Sequence, residues 1–194
     1  MYKKAIVSPG VTQGAWMAPT GSLSSVARGL ADRLVGVAIP PVVLRSREGF
    51  PVNLGKWASG AGLVIYTYPG ATGCPRDGED TALMDAVQYR AFRDAQPELE
   101  ARGYKMIEIS SQPEEPRRRA VAEKGLTHRL LSDPALQLAH ELELPTFTVD
   151  AVCCYRRLTL VATRGRIGKV FFPVSSPARS AAQVIAWMKI RGIG

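Results

Sequence analysis

The chain has 194 residues, 46% of them hydrophobic, a formal net charge of +8 and three cysteines. That length can bury the core of one domain, and the odd cysteine count argues against the disulfide scaffold of a small secreted protein. The basic residues are spread rather than interleaved with aromatics, so no nucleic-acid surface is expected. The apolar runs are too short or too interrupted to span a bilayer, and no signal peptide is recognisable, so a soluble, cytoplasmic protein is expected.

Residues 1–37 are rich in Gly, Ser, Ala and Pro and read as an N-terminal extension, in which Leu23 to Leu34 alone has helical apolar spacing. Residues 38–194 read as the folded domain. Val42-Val43-Leu44, a turn at Arg47-Glu48-Gly49 and Pro51 to Leu54 form a hairpin pattern, and Gly62 to Tyr68 follows as a strand. Asp80 or Thr81 can cap a helix through Leu83, Val87, Ala91 and Phe92, which Pro97 is expected to kink or to restart in a new turn before Leu99, and Gly103 to stop.

Lys105 to Ser110 alternates as a strand, Pro113 to Lys124 reads as a helix, and Arg129 to Leu131 as a short strand. Ser132 or Asp133, with Pro134 at the first helical position, opens a helix through Leu142. Tyr155 to Thr163 and Ile167 to Phe172 are expected as two strands joined at Arg164-Gly165-Arg166, and Ala181 to Ile190 as the closing helix. Alternating strands and helices followed by a hairpin predict an α/β, thioredoxin-like three-layer fold: a mixed central sheet with helices on both faces.

The stretch Tyr66 to Arg76 stands out. An apolar strand runs into Pro69-Gly70 and presents one cysteine, Cys74, at the carboxyl end of the strand, where α/β sheets place their chemistry.

Five further pieces accompany Tyr68 to Cys74: Ala91-Phe92-Arg93-Asp94, Leu130 to Pro134, Leu144-Pro145-Thr146, Arg157 to Val161, and Gly165 to Phe171. In that order they resemble the peroxiredoxins of the AhpC/TSA superfamily, and within them the bacterioferritin comigratory (Q-type) group. The resemblance implies a thiol peroxidase, in which a cysteine thiolate attacks a hydroperoxide and becomes a sulfenic acid. Carried over by position, Cys74 is the peroxidatic cysteine, Thr72 orients it, Pro69 shields it, and Arg157 lowers its pKa and polarises the peroxide. The implied partners are a hydroperoxide substrate and a thiol reductant such as thioredoxin or glutaredoxin, with the protein a monomer or homodimer.

This chain departs from the family motif. The family spaces its residues P-x-x-x-T-x-x-C, whereas here the spacing is P-x-x-T-x-C, which displaces Thr72. The position five residues beyond Cys74, where Q-type proteins often carry a resolving cysteine, is Glu79. Pro75 and Gly78 suggest loop before helix, which would deprive Cys74 of helix N-terminal amides and leave its stabilisation to Arg157, with Arg76 or Arg93 as further cations.

Cys153 and Cys154 are the resolving candidates. If they begin the strand carrying Arg157, alternation puts Cys153, Tyr155 and Arg157 on one face and Cys154 on the other, so Cys153 is the preferred one. It would lie about 13 Å from Arg157, and pairing with Cys74 would need a rearrangement. His128 and His140 lack metal-ligand spacing with the cysteines and no phosphate-binding glycine loop is present, so neither metal nor organic cofactor is expected. The rival reading is a redoxin-fold binding or structural module without peroxidase activity. General thiol-disulfide exchange is disfavoured by the lack of Cys-x-x-Cys.

Overall fold

A computed structural model describes residues 23–46, 48–70, 81–112, 129–149 and 151–193. In chain order the elements are α1 (Leu23–Leu34), β1 (Val43–Ser46), β2 (Pro51–Asn53), α2 (Leu54–Gly60), β3 (Gly62–Tyr68), α3 (Thr81–Ala101), β4 (Tyr104–Ser110) and β5 (Arg129–Ser132). They continue with α4 (Gln137–Leu142), β6 (Thr146–Val149), β7 (Val152–Tyr155), β8 (Leu158–Thr163), β9 (Arg166–Phe171) and α5 (Ser180–Ile190). Seven strands form one sheet in the order β2-β1-β5-β4-β3-β8-β9, and β6 and β7 pair separately. Strand β3 is parallel to β4, and β4 to β5, while β8 runs antiparallel to β3, so the sheet is mixed as expected.

Alternation along the central strands feeds two cores. Leu63 and Ile65 of β3 and Ile107 and Ile109 of β4 pack with Leu30 and Leu34 of α1, Leu54 and Ala58 of α2, and Leu138 and Leu142 of α4. Val64 and Tyr66 of β3 and Met106 of β4 face Phe92 and Leu99 of α3 and Val184 and Met188 of α5. Burial on both faces explains why Gly62 to Tyr68 reads as a near-continuous apolar run rather than an alternating one. The three layers of the thioredoxin-like plan follow.

The end of the N-terminal stretch is anchored. Leu34 is 1% exposed, and Arg33 donates to the carbonyls of Leu142 (2.9 Å) and Glu143 (2.8 Å), tying α1 to α4.

Three local expectations are corrected, and the helix through Pro97 is continuous. Helix α2 interrupts what read as hairpin followed directly by strand, because the Asn53 side chain accepts from the Lys56 amide at 2.9 Å and caps it. Helix α3 runs from Thr81 to Ala101 with Pro97 inside it; Pro97 is solvent-exposed, and buried Phe92 and Leu99 hold the helix on either side of it. Helix α4 starts at Gln137 rather than Pro134, since Leu136 is left-handed (φ 53), although Asp133 still accepts from the amides of Gln137 and Leu138.

The expected strand from Tyr155 to Thr163 is split into β7 and β8. Its break has a tertiary cause. The carbonyl of Arg156 accepts from the Thr67 hydroxyl at 2.7 Å and its amide donates to the Pro145 carbonyl at 3.0 Å, drawing that backbone out of the ladder. The expected helix from Pro113 to Lys124 lies outside the described residues.

Candidate active site

The carboxyl ends of β3, β4 and β5 lie together because the three strands are parallel neighbours. Strand β3 leaves the sheet through Pro69 and Gly70, both buried. Gly70 has φ +90, and a Cβ there would come within 2.5 Å of the Gln112 side chain, itself 7% exposed at the end of β4. Only glycine fits this exit without strain. The Ser132 hydroxyl at the end of β5 donates to the Gln112 carbonyl, closing the floor of this region.

Arg157 reaches the same end from the other side of β3. Thr67 pairs with Leu158 in the antiparallel β3–β8 register, so Arg157, one residue earlier, stands level with the end of β3. Its guanidinium makes an ion pair with Asp85 of α3 (Nη2 to Oδ1, 2.5 Å) and donates through Nη1 to Gln88 Oε1 at 3.0 Å. The Arg157 and Asp85 side chains are 13% and 9% exposed, and Gln88 is 1% exposed. Gln88 Nε2 has no hydrogen-bond partner among the described residues. A largely enclosed arginine bridging two acceptors is held in one orientation, since its planar fork fits both at once.

Beneath this cluster Tyr66 stacks on Phe92 with centroids 4.2 Å apart and donates to Glu108 Oε2 at 2.9 Å. Burial first, and then the Glu108 carboxylate, hold the Tyr66 phenol well above its usual range.

Of the four residues carried over by resemblance, the fold brings Pro69 and Arg157 to one end of the sheet, while Thr72 and Cys74 lie outside the described residues. Arg93, a further candidate cation, is on the exposed side of α3 and pairs with Asp94 at 2.8 Å; Arg76 lies outside the described residues. Cys153 is exposed and free, whereas Cys154 is fully buried and disulfide-bonded. Both are on β7, opposite Thr148 and Phe147 of β6, and the interruption of the strand at Arg156 and Arg157 separates them from β8. Among the described residues no three His, Cys, Asp or Glu side chains cluster to hold a metal ion.

Asp85 and Gln88 escaped the sequence reading. Their signal was a pair of polar residues in line with Phe92 and Leu99 on the helix face that turns inward, at spacings of three, four and seven.

The mixed sheet sandwiched between helices, with a half-buried arginine beside a Pro-Gly strand exit, defines a thioredoxin-like protein of the redoxin class. Residues 34–185 match the Redoxin family model, well over half of the chain, and the protein belongs to that family. It is 28% identical over 110 residues to peroxiredoxin bcp1 of Schizosaccharomyces pombe, covering 56% of this chain and 51% of that one. The chain thus spans about half the length of the curated relative it matches.

Solved structures share the fold. The peroxidoxin BcpB of Mycobacterium tuberculosis superimposes with a TM-score of 0.67 at 19% identity, covering 81% of this chain and 97% of that one. The bacterioferritin comigratory protein of Xanthomonas campestris, described for its alkyl peroxide reduction activity, does so with a TM-score of 0.66 at 21% identity over 83% and 98%. The architecture is that of the bacterioferritin comigratory and Q-type peroxiredoxins. No described helix is long and apolar enough to cross a membrane.

Proposed function

We propose that this protein is a thiol peroxidase that reduces hydrogen peroxide or organic hydroperoxides through Cys74. The Cys74 thiolate attacks one peroxide oxygen, the O–O bond breaks, and the departing oxygen takes a proton to leave as water or alcohol while the cysteine becomes a sulfenic acid. The observation that carries this reading is the Arg157 guanidinium, fixed by Asp85 and Gln88 at the end of β3 from which the Cys74 segment departs. Cys74 is four residues beyond Gly70, so the chain can carry it no more than about 14 Å from that exit.

Within this proposal Arg157 donates to the peroxide and to the thiolate, Thr72 orients the thiolate, and Pro69 shields it from water. The names of the relatives, peroxiredoxins and an alkyl peroxide reducer, favour this over a non-catalytic redoxin module. The proposal extends to a thioredoxin- or glutaredoxin-type reductant, a cytoplasmic site of action, and a monomer or homodimer. It also assigns residues 38–194 to the peroxiredoxin domain and 1–37 to an N-terminal extension.

Consumption of hydrogen peroxide and cumene hydroperoxide by the full chain, with a dithiol reductant, tests it. Turnover that Cys74→Ser abolishes is the expected result. A wild-type rate no greater than that of a free thiol, or an unaffected Cys74→Ser variant, overturns it.

A further inference from the structure

We infer that Asp85 sets the charge class of the substrate: its carboxylate occupies the place where the Arg157 guanidinium would hold an anion, so the site admits neutral hydroperoxides and rejects anionic ones. This rests on the peroxidase reading above. An uncompensated guanidinium at the end of β3 would attract any small oxyanion, because its planar fork matches carboxylate and sulfate oxygens. Here the protein supplies the oxyanion itself. Nη2 meets Asp85 Oδ1 at 2.5 Å, and Nη1 donates to Gln88 Oε1 at 3.0 Å.

Enclosure makes that occupation persistent. At an exposed ion pair, water and salt screen the charges and a competing anion exchanges with the carboxylate. The Arg157 and Asp85 side chains are only 13% and 9% exposed. Aspartate has a single methylene between backbone and carboxyl, so Asp85 cannot withdraw far unless α3 moves, and Phe92 and Leu99, both 0% exposed, hold α3 in the core. An anion reaching Arg157 therefore stands beside a fixed like charge, in surroundings that screen it poorly.

A neutral hydroperoxide escapes that penalty and finds a donor. Gln88 turns Oε1 to Arg157, which directs Nε2 to the other side of the amide, and Nε2 has no hydrogen-bond partner among the described residues. Gln88 is 1% exposed, so this donor is shut off from bulk water. A peroxide oxygen accepts from it without bringing a charge into the cluster. Asp85 and Gln88, three residues apart on α3, thus act from one helix face: the carboxylate excludes anions and the amide receives an uncharged oxygen.

Oxidation of the full chain by hydrogen peroxide and by peroxymonosulfate at neutral pH tests this. In both the thiolate attacks the terminal oxygen, the O–O bond breaks and the same sulfenic acid forms; the leaving group takes a proton and departs as water in the first, and departs as sulfate in the second. Taking the ratio of the two rates removes any change in the thiol common to both. Asp85→Asn is expected to raise the peroxymonosulfate-to-hydrogen-peroxide ratio at least about tenfold, and an unchanged ratio overturns the inference. A second arm needs no thiol. Asp85→Ala leaves a carboxylate-sized space against Arg157, and formate is expected to raise the melting temperature of that variant but not of the wild type or of Asp85→Ala combined with Arg157→Gln. Equal responses in all three overturn the occupation. Should the Asp85 variants fail to fold, the wild type decides: its ratio is expected to lie about tenfold below that of free cysteine, and an equal or higher one overturns the inference. If the wild type reacts with neither peroxide faster than a free thiol while formate still binds Asp85→Ala, Asp85 does occupy the anion subsite and it is the peroxidase reading that falls.

Discussion

The guanidinium of Arg157 lies 2.5 Å from the Asp85 carboxylate, in a pair almost closed to solvent at the end of β3. The cation that the proposed function offers to the Cys74 thiolate is thus partly spent on a carboxylate from α3. Asp85→Asn keeps the shape of the contact and removes the opposing charge. The pH profile of the Cys74 reaction with peroxide is expected to shift down by about one unit, since removing a carboxylate beside the guanidinium favours thiolate over thiol. Stopped-flow rates from pH 4 to 9 measure it; an unmoved profile means that Asp85 does not act on the thiol. Asp85→Ala should also cost about 3 kcal/mol of stability, because it removes the carboxylate facing a guanidinium that is only 13% exposed.

Arg157→Lys separates charge from geometry. Lysine retains the charge but cannot reach Asp85 and Gln88 with one planar fork. The rate constant for peroxide is expected to fall on the order of 10²-fold, the scale of losing an aligned donor in a dry site. A lysine variant with wild-type rates would show that charge alone suffices.

Gly70→Ala puts a Cβ at φ +90 within 2.5 Å of the Gln112 side chain. The backbone strain alone costs about 1–3 kcal/mol. Urea denaturation reads this loss, and a fall in peroxide rate beyond it reports displacement of the β3 exit. Gly103→Ala, also at positive φ but with nothing within 4 Å of the added Cβ, provides the comparison for strain without a clash.

Leu34 is 1% exposed and belongs to the larger core, at the end of the one helical segment in the stretch that reads as an N-terminal extension. Leu34→Ala should cost about 3 kcal/mol, the scale of a buried leucine truncation. Deleting residues 1–37 should cost at least as much. A chemical melt unchanged by either would mean that α1 is detached in solution.

Tyr66 and Tyr155 have phenols raised by burial first and then by the facing carboxylates of Glu108 and Asp133. Their folded values lie above the unfolded one near 10, so their contribution to stability is complete below about pH 10 and is lost as pH rises further, where the unfolded chain releases protons the folded one keeps. Urea melts from pH 8 to 11 should show that decline, and Tyr155→Phe should flatten part of it. That variant also loses the 2.6 Å hydrogen bond to Asp133, costing about 1–3 kcal/mol at neutral pH.

Local chemistry alone made much of this protein legible. The apolar run of β3, its Pro-Gly exit, the strand of β4 and the closing helix follow from side-chain periodicity and turn residues, and they suffice for a mixed sheet between two helical layers. Pro69 and Arg157 were reachable through resemblance. Tertiary structure decided what depends on residues far apart in the chain. Asp85 and Gln88 meet Arg157 across 72 and 69 residues, a pairing that neither helix spacing nor strand alternation encodes. The break after Tyr155 arises from a hydrogen bond between Thr67 and Arg156, 89 residues apart, and with it goes the alternation that had favoured Cys153. Two adjacent thiols are chemically identical in the sequence; burial of one and exposure of the other is a property of the assembled sheet.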